Sequence, residues 1–111
     1  MQDADSLDKI FHALSDRTRR ELLSKLSERD WTISELAKPF NMTLAAVSKH
    51  IRVLEDAGFV KREIDGRVHH CTADLEPLRD ASKFIEKYKK YWEGQFDVLD
   101  AYLKKSEKKR V

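Results

Sequence analysis

Between Thr43 and Arg52 the side chains able to bind or react are short or cationic, and their spacing sorts them into one group. At about 3.6 residues per turn, Leu44, Ala45, Ser48, Lys49 and Arg52 fall on one side of a helix. Val47, His50, Ile51 and Leu54 fall on the other side as an inward stripe. The outward side offers a hydroxyl, an ammonium and a guanidinium on a slim profile. Such a surface fits a groove about 12 Å wide and carries donors to base edges and phosphates without a bulky side chain holding it off. Catalytic chemistry has no comparable support. No Ser/His/Asp, Cys/His or paired-carboxylate constellation stands at a mechanically meaningful spacing, and no Gly-rich phosphate loop is present. The run His69, His70, Cys71 comes nearest to a metal-ligand set. Adjacent strand residues point to opposite faces, so at most His69 and Cys71 share a side, and two ligands do not close a site. His50 lies on the inward stripe and reads as a hydrogen-bonded core histidine.

The elements that must hold this surface follow from capping and periodicity. Thr32 with Glu35 three residues later is a capping box and starts a helix over Ile33 to Lys38, closed by Pro39. Thr43 caps the next helix, which runs to Ala57 and is stopped by Gly58. The gap between the two is short, so residues 32–57 form a helix-turn-helix, the first helix bracing the second at a steep angle. Upstream, over residues 5–30, Leu7, Ile10, Phe11 and Leu14 mark one helix. Ser15 or Asp16 caps a second helix, which carries Leu22, Leu23 and Leu26.

Downstream, residues 59–72 are rich in β-branched and aromatic types, and Asp65-Gly66 is a strong two-residue hairpin signal. That turn pairs Ile64 with Arg67, Arg62 with His69 and Val60 with Cys71, giving an apolar base and a basic tip suited to phosphates. Cys71, opposite Val60 near the base, reads as a buried and unreactive thiol. Asp74 caps a long last helix over 75–105, with Pro77 in its first turn. The fold class is therefore mainly α with a small β-hairpin wing, in the order α-α-α-α-β-β-α, a winged helix-turn-helix.

In the last helix Leu78, Ala81, Ile85, Tyr88, Trp92, Gln95, Leu99 and Tyr102 recur at alternating spacings of three and four, flanked by Phe84, Tyr91, Phe96 and Leu103. So wide an apolar stripe exceeds what a small domain covers, so a second copy is expected against it. Gly94 within that helix marks either a close approach of two backbones or a tolerated exposed glycine. The basic tail Lys104 to Arg110 complements the negative end of the helix.

Composition sets the outer bounds. The 111 residues suit one domain, 1–111, with 41% hydrophobic and 38% charged residues, too apolar for disorder and too charged for a membrane span. Twenty-two Lys and Arg against twenty Asp and Glu give +2, so the argument for nucleic acid rests on local placement and not on total charge. A first segment without a signal-peptide apolar run, and a single Cys, point to the cytoplasm with no disulfide framework.

The segments LSDRTRRELLSKL, TISELAKPF, MTLAAVSKHIRVLEDAGFV and KREIDGRVHH resemble the ArsR family of winged-helix bacterial repressors over nearly the whole chain. The most specific part is Val47-Ser48-Lys49-His50-Ile51 followed by Leu54, Gly58 and Val60. The resemblance implies Thr43, Leu44, Ala45, Ser48, Lys49 and Arg52 as groove contacts and Arg62, Arg67 and His69 as wing contacts. It implies a homodimer paired through the first and last helices, that is Leu7 and Phe11 with Ile85, Tyr88, Trp92, Gln95, Leu99 and Tyr102, on a palindromic double-stranded DNA operator. Many members sense metals through a Cys pair in the third helix or Asp and His ligands in the last. Here the third helix has no Cys or His and the last has no His, which places the chain in a branch lacking those ligands. The expectation is a sequence-specific DNA-binding transcriptional regulator, a dimeric repressor occluding a promoter, with no cofactor, no metal and no membrane. The alternative is a winged-helix interaction module whose aromatic last helix docks a different protein. That reading would favour acidic or large apolar residues at positions 48, 49 and 52.

Overall fold

Capping side chains decide where most of the helices begin. In a computed structural model that describes residues 4–108, α1 spans Ala4–Leu14 and α2 spans Arg17–Glu28. Asp16 caps α2, its carboxylate accepting from the Arg19 backbone N–H at 3.1 Å. Arg19 itself is buried, and its guanidinium donates to the carbonyls of Ala13 (3.0 Å) and His12 (2.9 Å). The leftover acceptors at the end of α1 are thereby satisfied by a side chain from the next helix.

A two-residue strand, β1 (Trp31–Thr32), follows and was not foreseen, because two residues show no alternation to read. The capping box forms as expected: Glu35 N–H donates to Thr32 Oγ1 at 3.1 Å and Thr32 N–H to Glu35 Oε1 at 2.9 Å. Helix α3 runs Ile33–Phe40, two residues past the expected stop at Lys38. Pro39 sits in the last turn, where it forfeits a single backbone bond. The helix is ended instead by Asn41 in the left-handed region (φ 51), with Asn41 N–H on the Lys38 carbonyl and Met42 N–H on that of Ala37. Thr43 then caps α4 (Leu44–Asp56), donated to by the Ala46 N–H at 3.1 Å. Gly58 (φ 85) turns the chain out of α4, with Gly58 N–H on Glu55 and Phe59 N–H on Leu54.

Strands β2 (Val60–Asp65) and β3 (Val68–Ala73) form the wing, and with β1 they make a three-stranded antiparallel sheet in the order β1-β3-β2. The register differs from the expected one. Asp65 pairs with Val68, Ile64 with His69, Arg62 with Cys71 and Val60 with Ala73, so the loop is Gly66-Arg67. Gly66 has φ 62, while Asp65 and Arg67 do not enter the positive-φ region. That pattern belongs to the turn with glycine in its first central position, whereas a loop at Asp65-Gly66 of the other favoured type needs positive φ at both. A shift of two residues leaves every side chain on its original face. Arg62 and His69 consequently remain neighbours, now diagonal.

Helix α5 (Glu76–Lys108) starts one residue after the expected 75 and runs three past the expected 105, with Asp74 Oδ1 accepting from Glu76 N–H at 3.0 Å. The chain divides into two compact units, Met1–Ala81 and Ser82–Val111. In the first, Ile10, Leu22, Leu36, Val47, Ile51, Leu54, Phe59 and Cys71 are fully enclosed, so helices α1 to α4 and the sheet share one core. The second is the remainder of α5, and side chains 82–106 are all exposed. Lys109 and Arg110 of the basic tail lie outside the described residues.

Candidate nucleic-acid interface

Burying Val47, Ile51 and Leu54 in the core fixes the rotation of α4 and turns its other side outward. Thr43, Leu44, Ala45, Lys49 and Arg52 are exposed and Ser48 is half-buried. His50 is half-buried with Nδ1 3.4 Å from Arg19 Nη1, tying α4 to α2. The sequence reading passed over Arg19; its burial depends on carbonyls and a ring supplied by other helices, and no local spacing announces it.

The leading turn of α4 opens on a cleft of about 270 Å³ between Ile33 and Ser34 of α3, Leu44, Ala45 and Ser48 of α4, and Arg67 and His69 of the wing. A shallower hollow runs along Ala45, Ala46, Ser48, Lys49 and Arg52. Groove candidates Leu44, Ala45 and Ser48 and wing candidates Arg67 and His69 thus line one cleft, together with Ser34. Ser34 was missed, because its segment was read for helix capping alone. Lys49, Arg52 and Arg67 form no ion pair among the described residues, while Lys61 is taken by Asp74 at 3.8 Å.

Arg62 is placed differently from the other wing candidates. Its Nη2 lies 2.7 Å from Glu55 Oε1, and its side chain is only 12% exposed. Nη1 donates to Ser48 Oγ at 3.3 Å and lies 3.2 Å from His69 Nδ1, and Nη2 is 3.4 Å from the Ser48 carbonyl. Its Nε is buried with no acceptor among the described residues. The charge expected at the wing tip is therefore already paired, between β2 and α4. Cys71, across the strand from Arg62, is fully enclosed, and burial pushes its thiol up to about 11, with Arg62 pulling it down and Glu55 adding to the rise. The thiol stays protonated and inert near neutral pH.

Of the dimer candidates, Leu7 is half-buried and Phe11 exposed on α1. Ile85, Tyr88, Trp92, Gln95, Leu99 and Tyr102 are exposed on α5. The rings of α5 contact one another along the helix, Phe84 with Tyr88 at 4.7 Å and Trp92 with Phe96 at 6.2 Å between centroids. No three His, Cys, Asp or Glu side chains among the described residues converge as metal ligands. Among those residues no helix is long and apolar enough to cross a membrane.

Comparison with known proteins supplies the context for this surface. A family described as a helix-turn-helix domain matches residues 14–63. The chain is 40% identical over 83 residues to the uncharacterized HTH-type transcriptional regulator YuzN of Bacillus subtilis (strain 168), covering 68% of this chain and 90% of that one. It is 28% identical over 79 residues to the transcriptional repressor SdpR of the same organism, covering 71% and 88% respectively. Among solved structures, the crystal structure of an ArsR family transcriptional regulator superposes with a TM-score of 0.78 at 41% identity, covering 83% of this chain and 95% of that one. All three are named as regulators of transcription and none as an enzyme.

Proposed function

The chain belongs to the ArsR family of winged helix-turn-helix transcriptional regulators, and from that premise we propose that it is a dimeric, metal-independent repressor that occludes a promoter. The observation that carries this reading is the outward side of α4, where Leu44, Ala45, Lys49 and Arg52 are exposed beside Thr43 and Ser48. Lys49, Arg52 and Arg67, which form no ion pair among the described residues, supply phosphate contacts and counterion release, and Arg52 also reaches base edges. Thr43, Leu44, Ala45 and Ser48 are short enough to let base edges approach, and these few contacts supply discrimination. His69 lines the cleft beside Arg67.

Dimerisation is supported by the exposed stripe of α5, which carries Ile85, Tyr88, Trp92, Leu99 and Tyr102 to solvent in a single copy. Two copies related by a twofold axis present two recognition helices to successive major grooves about 34 to 36 Å apart, so the operator is palindromic. Metal independence is supported by residue content: α3 contains no Cys or His and α5 contains no His. The cytoplasm is the compartment in which such a repressor works.

The test is a gel-shift series at fixed salt. Arg52→Ala is expected to weaken operator binding by roughly 1–3 kcal/mol while leaving the fold intact, since Arg52 is exposed. Equal affinity of this variant and the parent removes the assignment. A second reading, an interaction module in which α5 docks a different protein, is favoured by the same uncovered aromatic residues. Retention on heparin and the mass in solution separate the two: a monomer that ignores polyanions belongs to the second.

A further inference from the structure

Resting on the DNA-reading role of α4, we propose that Arg62 is a positioning residue that clamps the wing to the recognition helix and sets Ser48 and His69 as hydrogen-bond donors toward DNA. It does not itself contact phosphate.

The argument begins with what a guanidinium can do. Arginine has five N–H donors in a fixed fork, no acceptor, and a permanent charge. The Arg62 fork is oriented by the short pair with Glu55 (2.7 Å), and its other contacts are longer, 3.2 Å to His69 Nδ1 and 3.3 Å to Ser48 Oγ. Because Arg62 can only donate, both of those atoms must accept. Accepting at Nδ1 leaves Nε2 of His69 to carry the ring proton, and the Ser48 hydroxyl keeps its own hydrogen for another partner. Ser48 and His69 both line the cleft that opens beside Arg67. Donors aimed there suit acceptors, which phosphate oxygens and the major-groove edges of purines and thymine provide.

The covering of the Arg62 side chain argues against the simpler role. A guanidinium 12% exposed and neutralised by Glu55 has neither the reach nor the net charge for counterion release. A partly buried ion pair whose Nε–H has no acceptor among the described residues is also a poor source of stability, whereas it does specify geometry. Glu55 and Ser48 belong to α4, Arg62 to β2 and His69 to β3, so one side chain fixes three elements relative to one another.

The experiment uses the full chain and a duplex recovered from a random pool, with a scrambled duplex as reference. Glu55→Gln is the first variant. Removing a negative charge beside DNA tightens binding if only charge matters, but the clamp predicts a fall of about tenfold in the preference for the recovered duplex. Arg62→Gln is the second, read as the slope of log affinity against log salt. The slope stays at the parent value if Arg62 positions, and becomes shallower by about one if it contacts phosphate, as expected for Arg67→Ala. Nitrogen chemical shifts of His69 in the free protein give a third readout, expected to report the Nε2–H tautomer in the parent and a mixture in Arg62→Gln. Should Arg62→Gln not fold, Glu55→Gln and the parent tautomer still decide. A parent with no preference between duplexes sinks the DNA-reading role and the clamp together. A selective parent with tighter Glu55→Gln binding, a shallower Arg62→Gln slope or an Nδ1–H tautomer overturns the clamp alone.

Discussion

At the scale of single residues, the same side-chain chemistry does different work according to what already surrounds it. Arg19 is buried and Arg62 largely covered, one satisfying the carbonyls at the end of α1 and the other paired with Glu55. Arg52 and Arg67 are exposed and form no ion pair among the described residues. The exposed pair was legible in the sequence, since helical phase and a hairpin tip both predict exposure. The covered pair was not, because its partners stand far away in the chain. Cys71 was read correctly as buried although its strand partner was assigned wrongly, since its facing is fixed by alternation and not by register. The neutral thiol contributes stability below the ordinary value of 9.0, and this is lost as pH rises toward about 11. At pH 8 the folded protein should react slowly with iodoacetamide and the denatured protein quickly. Equal rates in the two states would contradict the burial.

At the scale of elements, local capping explains what was legible and local geometry what was not. The Thr32–Glu35 box needs only two residues three apart, and it forms. Thr32→Ala is expected to cost about 1 kcal/mol in urea denaturation, and a loss near zero would mean that α3 is held by packing alone. The backbone N–H of Thr32, ahead of its hydroxyl and Arg29, holds the Glu35 carboxyl below its usual value. That contribution is present above the ordinary carboxylate pKa and disappears as pH falls through the lower folded one. The length of α3 and the register of the wing escaped prediction for a common reason. Each depends on which residue takes a left-handed or positive-φ conformation, Asn41 in the first case and Gly66 alone in the second, and several neighbours were eligible.

At the scale of the whole molecule, the proposed dimer rests on the exposed stripe of α5. One chain has a mass of 13.0 kDa, so sedimentation is expected to give twice that value for the working species. Trp92, 53% exposed at the middle of the stripe, is the position to test. Trp92→Glu should shift the mass toward one chain and weaken operator binding at least tenfold, because two linked half-sites become one. An unchanged mass would remove the stripe from the interface. Neither EDTA nor added zinc is expected to alter the affinity, since α3 contains no Cys or His and α5 contains no His. A large change with either reagent would require a site built from other residues.

By itself the sequence determined which faces would be wet and which buried, because helical and strand periodicity make that a local property. From it follow the outward cationic side of α4, the capped starts of the helices, the wing and the surplus stripe of α5. Only the tertiary structure decided which of the predicted cations remain available. Charge is written in the chain, but availability depends on whether a carboxylate from another element arrives within hydrogen-bond distance, as Glu55 does for Arg62. The cleft beside Ser34, Ser48, Arg67 and His69 was invisible for the same reason, since it is space enclosed by three elements and belongs to none of them.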